Sequence, residues 1–264
     1  MSTTYHPLRS LVWKEWREQR WRLALGALVL TVLSASLVRA QLVTTAEAVA
    51  IIFGPLGLVL SIFVSMGAVP PERAAGTWHF LTVQPVPLSR LLIVKWAVGA
   101  ASLLLALMLA GAAAYVAAAS RGAFDLPPTP VIHRLGGMHT GDTAGLLLSM
   151  VGSACAAFLA FYSLLFAAML KARNELHAGL AGILLTIVVI AWAAQYPMIV
   201  IRHAYTEDRA TFAWYSSLLN PLSPLMFQFE DNRAMHLVAL AVSPLLWAGL
   251  PILIWHRRDR EAKR

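Results

Sequence analysis

Six apolar stretches, each on the order of 20 residues, recur along this 264-residue chain, and that recurrence limits what it can fold into more than any motif does. At 1.5 Å of rise per residue, a run of that length spans a hydrocarbon core ~30 Å thick. A soluble domain is about one-quarter charged; here charged residues make up 13% and hydrophobic residues 59%. Long apolar runs, rather than short alternating ones, point to helices and not to a barrel. The expected fold is therefore an all-α polytopic membrane protein. Its six transmembrane helices are expected near 23–43, 48–69, 91–119, 143–170, 178–200 and 236–255. They form a 23–256 transmembrane domain between a cytosolic 1–22 segment and a basic 257–264 tail.

Two polar segments stand out against this background. Residues 8–22, LRSLVWKEWREQRWR, carry three tryptophans and five basic side chains just ahead of the first apolar run. Leu8, Leu11, Val12 and Trp16 share one side at helical spacing, and Trp13 and Trp21 suit the headgroup level. Two readings stay open: a basic anchor for the first span, or an interfacial elbow helix made of Trp13, Lys14, Glu15, Trp16 and Arg17.

The second segment, Pro70 to Lys95, separates the second and third apolar runs. Pro70 and Pro71 end a span, Pro85 and Pro87 break the chain again, and Ser89 restarts it. Between them a short amphipathic surface helix is expected. Trp78, Phe80 and Leu81 would be its apolar anchors, with Glu72, Arg73, His79, Gln84 and Arg90 in water. Such an element suits the docking of something soluble onto something embedded.

The formal net charge of +8 follows membrane orientation. With the N-terminus inside and six spans, the inner segments hold fifteen of the twenty-one Lys and Arg residues, which places both termini in the cytoplasm. Basic charge is thereby explained without nucleic acid. The one cysteine, Cys155, lies in an apolar run and permits no disulfide within the chain. The polar first twenty-two residues are unlike a cleavable signal peptide. Within the spans, Gly54, Pro55 and Gly57 should weaken the second helix, and Ser149, Gly152, Ser153, Ala156 and Ala160 form a small-residue packing row.

Catalytic chemistry is sparse. No G-x-x-x-x-G-K-[ST] loop is present, so the chain does not grip nucleotide phosphates in that way. Span centres lack ionisable residues, which disfavours an ion-coupled carrier. His133 and His139 share a loop with Asp125 and Asp142, but the spacing matches no metal template, and no metal is expected. Ser153 lies in GSA rather than a G-x-S-x-G elbow. Tyr162, Gln195 and Tyr196, the few polar groups within or near spans, fit packing or interhelical hydrogen bonds.

The motif LVWKEWREQRW before span 1, together with ERAAGTWHFLTVQPVPLSRLLIVKW after span 2, resembles the permease subunits of ABC-2 type transporters. The matching positions are Lys14, Glu15 and Arg17, then Glu72, Gly76, Thr77, Leu81, Pro85, Val86, Ser89, Arg90 and Lys95. Pro87 is an addition to the pattern. The NPLSPLMFQF stretch before span 6, Asn220 to Phe229, is also similar, and its Leu222, Leu225, Met226 and Phe229 keep helical spacing for a short helix dipping into the outer interface.

The resemblance implies a multi-pass protein of the bacterial cytoplasmic membrane that is not itself an enzyme. It implies a homodimer or heterodimer of such chains over a cytosolic ABC subunit, which binds the ATP and Mg. Coupling residues would be Glu72, Arg73, Gly76, Thr77, Trp78, Phe80, Leu81, Gln84, Pro85, Ser89 and Arg90. The competing expectation is a membrane-embedded enzyme or assembly factor with its site in the outer loops.

Overall fold

In the computed structural model, residues 7–40, 51–68, 70–76, 88–120, 143–172, 174–203, 219–226 and 233–261 are described. They are helical with short turns and contain no strand. Five helices are long and apolar enough to cross a membrane. They are α1 (Pro7–Ala40), α4 (Leu88–Ala119), α5 (Thr143–Met169), α6 (Glu175–His203) and α8 (Arg233–Glu261). A shorter apolar helix, α2 (Ile52–Met66), stands where the second span is expected. Its 15 described residues cover about 22 Å at 1.5 Å each, and residues 41–50 before it lie outside the described residues. Two small helices are also described, α3 (Pro70–Ala74) and α7 (Ser223–Met226).

The elbow segment is not a separate helix. Residues 8–22 and the first span form one uninterrupted α1. Pro7 begins it at a position where a missing N–H costs nothing, and no proline follows before residue 40 to break the ladder. Its buried side is also not the expected stripe. Glu15, which projects beside that stripe, is buried with Gln19, Leu23, Ala27, Leu30, Ser34 and Val38 at intervals of three or four residues, whereas Val12 and Trp16 are exposed and Leu11 is half-buried. That ladder packs mainly against α4.

Helices α4 and α5 are the centre of the bundle. On α4 the inward residues are largely alanine (Ala100, Ala106, Ala110, Ala114, Ala118), which lets neighbouring backbones approach. On α5 they are Ala154, Ala157, Phe158, Phe161, Tyr162 and Leu165. The predicted small-residue row on α5 is only partly a seam: Ser153 and Ala160 are buried, Ala156 is half-buried, and Ser149 and Gly152 are exposed. The aromatic residues one position around the helix fill the space instead. Phe158 needs Gly57 opposite it, because a Cβ there would stand 2.5 Å from the ring.

The weakness expected around Pro55 takes the form of a wide π-turn over Ile52–Leu56. Pro55 has no N–H to donate, and the Gly57 N–H reaches back to the Ile52 carbonyl. The outer helices present apolar stripes outward, such as Leu180, Ile183, Leu184, Ile187 and Val188 on α6, as a lipid-facing surface requires.

The segment around α7 lies deeper than an interfacial helix. Asn220 is buried, and its Nδ2 donates to the Val189 carbonyl at 3.2 Å. Val189 is fourteen residues into α6, about 21 Å along its axis. Irregular backbone at such depth must have its polar groups satisfied within the protein. Here the Leu222 N–H donates to Asn220 Oδ1 (2.8 Å), Ser243 Oγ to the Pro221 carbonyl (3.3 Å) and Trp247 Nε1 to the Leu219 carbonyl (3.1 Å). The small helix is wedged against α5 and α8. Phe229, expected to continue its face, lies outside the described residues.

Candidate functional site

The first turns of α1, α3, α4 and α6 gather at one end of the bundle, and their charged residues are joined there. Lys95 stands two turns into α4 and is 1% exposed. A lone ammonium at that burial would be strongly disfavoured. Its Nζ donates to both carboxylate oxygens of Glu15 on α1 and to Oε1 of Glu72 on α3, each at 2.8 Å. An ammonium has three N–H donors, so this site uses all of them in charge-assisted bonds.

Glu72 Oε1 is shared. Lys14 Nζ also reaches it at 3.3 Å, and Lys14 bridges to Glu18 at 3.6 Å on its own helix. Sequence polarity puts Glu72 in water, but it is 9% exposed. The reason is Lys95, twenty-three residues away, which supplies the counter-charge that makes burial tolerable.

A second tie sits beside the first. Arg22 Nη2 donates to Glu175 Oε1 at 3.0 Å at the start of α6, and its guanidinium lies 5.8 Å from the centre of the Phe63 ring on α2. Asn174 caps α6, its Oδ1 accepting the His177 N–H at 2.9 Å. The charged layer therefore joins α1, α3 and α4 through Lys95, and α1, α2 and α6 through Arg22.

Of the expected coupling residues, Glu72 is in this cluster. Arg73 lies on α3, with its side chain outside the described residues. Gly76 ends the turn after α3 with φ +71°, a left-handed conformation suited to glycine. Ser89 is half-buried and Arg90 exposed in the first turn of α4. Thr77, Trp78, Phe80, Leu81, Gln84 and Pro85 lie outside the described residues, as do His133, His139, Asp125 and Asp142. Of the elbow residues, Lys14 and Glu15 join the cluster, while Trp13, Trp16 and Arg17 point outward.

The motif includes Lys95 but gives it no role, and sequence reasoning passes over Gln19 and Arg22. A lysine seven residues into an otherwise apolar helix was the available signal, since such a charge demands a partner. Among the described residues, the carboxylates of Glu15, Glu18 and Glu72 come within 4.8 Å of one another. The ammonium groups of Lys95 and Lys14 already supply the positive charge there, so the group is an ion-pair network rather than a metal cradle.

No protein-family model matches the chain, and no curated protein is significantly similar to it.

Proposed function

We propose that the chain is the non-catalytic permease subunit of an ABC-2 type transporter, with ATP and Mg bound by a separate cytosolic subunit. The observation that carries this reading is the Glu15–Lys95–Glu72 cluster. It fastens α3, the start of the polar segment between two apolar helices, to α1 and α4. Separating a buried ion pair by removing one partner costs roughly 3–5 kcal/mol. A push on the polar segment therefore moves α1 and α4 with it rather than bending a free loop.

On this reading, residues 70–90 dock on the ATP-binding subunit, and closure of that subunit shifts the embedded helices between two arrangements. The functional unit pairs two such chains in the bacterial cytoplasmic membrane, with six spans each and both termini cytoplasmic. The excess of Lys and Arg on the inner segments supports that orientation.

The test is co-purification with an ABC-type ATPase, taken from the genes adjoining this chain's own where one is present, comparing wild type with a replacement of residues 76–84 while following ATP hydrolysis. A stable complex that the replacement abolishes supports the reading. A chain that binds no ATPase with either loop sinks it and leaves the outer-loop enzyme as the alternative.

A further inference from the structure

The charged cluster is continued into the bundle by polar groups that have no protein partner among the described residues. Gln19 follows Glu15 by one turn on the α1 ladder that packs on α4; it is 4% exposed, and neither Oε1 nor Nε2 is hydrogen-bonded. Tyr162 on α5 is fully buried with its hydroxyl equally unpartnered. That hydroxyl lies against Gly99, one turn beyond Lys95 on α4, where a Cβ would collide with it. Lys95, one turn back from Gly99, holds the Glu15 carboxylate. Ser102, three residues past Gly99, contributes a second buried hydroxyl without a partner.

Leaving a buried amide or hydroxyl unsatisfied costs about 1–3 kcal/mol per group, and buried polar groups in native proteins are almost always paired with protein or ordered water. Three side chains offering both donors and acceptors, on α1, α4 and α5 and just beyond the ion cluster, make a site suited to water, which needs two to four polar partners.

We propose that the α1–α4–α5 seam holds an internal hydration site: ordered water bound by the Gln19 amide and the Tyr162 hydroxyl, with Ser102 at its far edge and the Glu15–Lys95 pair at its near edge. Water there satisfies the orphaned groups and solvates the inner side of the buried Glu15–Lys95 pair. It also explains the glycine at position 99, because any larger residue would push the Tyr162 hydroxyl out of the site. The inference does not depend on the transport reading.

The test is radiolytic hydroxyl labelling of the full chain in lipid nanodiscs, read by peptide mass spectrometry. Phe158, equally buried but packed on Gly57, is the internal control. Bound water generates radicals in place, so Tyr162 is expected to be labelled well above Phe158. Equal, background labelling of both would overturn the proposal.

A second arm measures thermal stability of Tyr162→Phe, Gln19→Leu and the double variant. If water joins the two groups, each single change lowers the melting temperature by several degrees and the double change costs less than their sum. If the groups are simply orphaned, each change is neutral or stabilising and the effects add, which refutes the site.

Discussion

Replacing Lys95 with methionine tests the central cluster most directly. Methionine keeps much of the aliphatic stem but removes three charge-assisted bonds of 2.8 Å. Glu15 is then left buried, its nearest other cation being Lys14 at 3.9 Å on a half-exposed side chain. Breaking one side of such a buried pair destabilises by about 3–5 kcal/mol. For a chain of this size, each kcal/mol moves the melting temperature by roughly 2–4 °C, so a drop on the order of 10 °C is expected for Lys95→Met. The assay is intrinsic tryptophan fluorescence during thermal unfolding in detergent, with Glu15→Gln and the Lys95→Met/Glu15→Gln pair alongside. Because the double variant buries no unpaired charge, it should be less destabilised than the sum of the singles. A Lys95→Met protein within about 1 kcal/mol of wild type, or strictly additive effects, would refute the idea that burial makes this cluster strong.

The peripheral contacts should matter less, and in a definite order. Lys14→Ala should cost no more than about 1 kcal/mol by the same unfolding assay, since its side chain is half-exposed and Lys95 retains Glu72. Arg22→Ala should exceed Glu175→Ala by about 0.5–1 kcal/mol, the worth of the ring contact with Phe63 that only the arginine makes; equal losses would remove that contact from the account. Gly57→Ala forces a Cβ into the Phe158 ring and should destabilise by about 1–3 kcal/mol, with Phe158→Leu in the same chain restoring part of the loss. Asn220→Ala removes the amide that donates to Val189 and accepts from Leu222, and should cost about 1–3 kcal/mol. Protease access to residues 204–232 in Asn220→Ala would show whether the α7 segment has come away from the bundle.

Five long helices were legible because apolar run length is a local property that lipid reads directly. The polar end was not, because its arrangement depends on partners far apart in sequence. Glu15 and Lys95 are eighty residues apart, and nothing near Glu15 announces that a lysine will bury it. Sorting side chains by polarity therefore gave α1 an apolar stripe through Leu11, Val12 and Trp16, when the inward positions include Glu15 and Gln19. The same limit explains the row on α5: small residues mark where helices can approach, but α4 supplies the alanines, leaving α5 to fill the gap with Phe158, Phe161 and Tyr162. The motif that names Lys14, Glu15, Glu72 and Lys95 places them in two separate cytosolic segments. Only the packing of α1 on α4 makes them one site.

The continuity of α1 gives that site its mechanical meaning. One helix face carries Glu15 and Gln19 at the charged end and Leu23, Ala27, Leu30 and Val38 beyond it, without a break. A separate elbow joined by a hinge could absorb a displacement of α3; an unbroken helix that packs along α4 transmits it into the bundle. The one soft point is the shared Glu72 oxygen, which Lys95 holds at 2.8 Å from the buried side and Lys14 at 3.3 Å from the solvent side. An outward movement of α3 exchanges the first lysine for the second, so Glu72 need never lose its counter-charge. Lys14 stands on α1 beside Glu15, so on the transport reading a Glu72 that shifts toward it still pulls on α1, and Lys95 passes that pull to α4 through Glu15. Glu72→Gln weakens the hold of α3 on both lysines and should uncouple the polar segment from α1 and α4 while the Glu15–Lys95 pair stays intact.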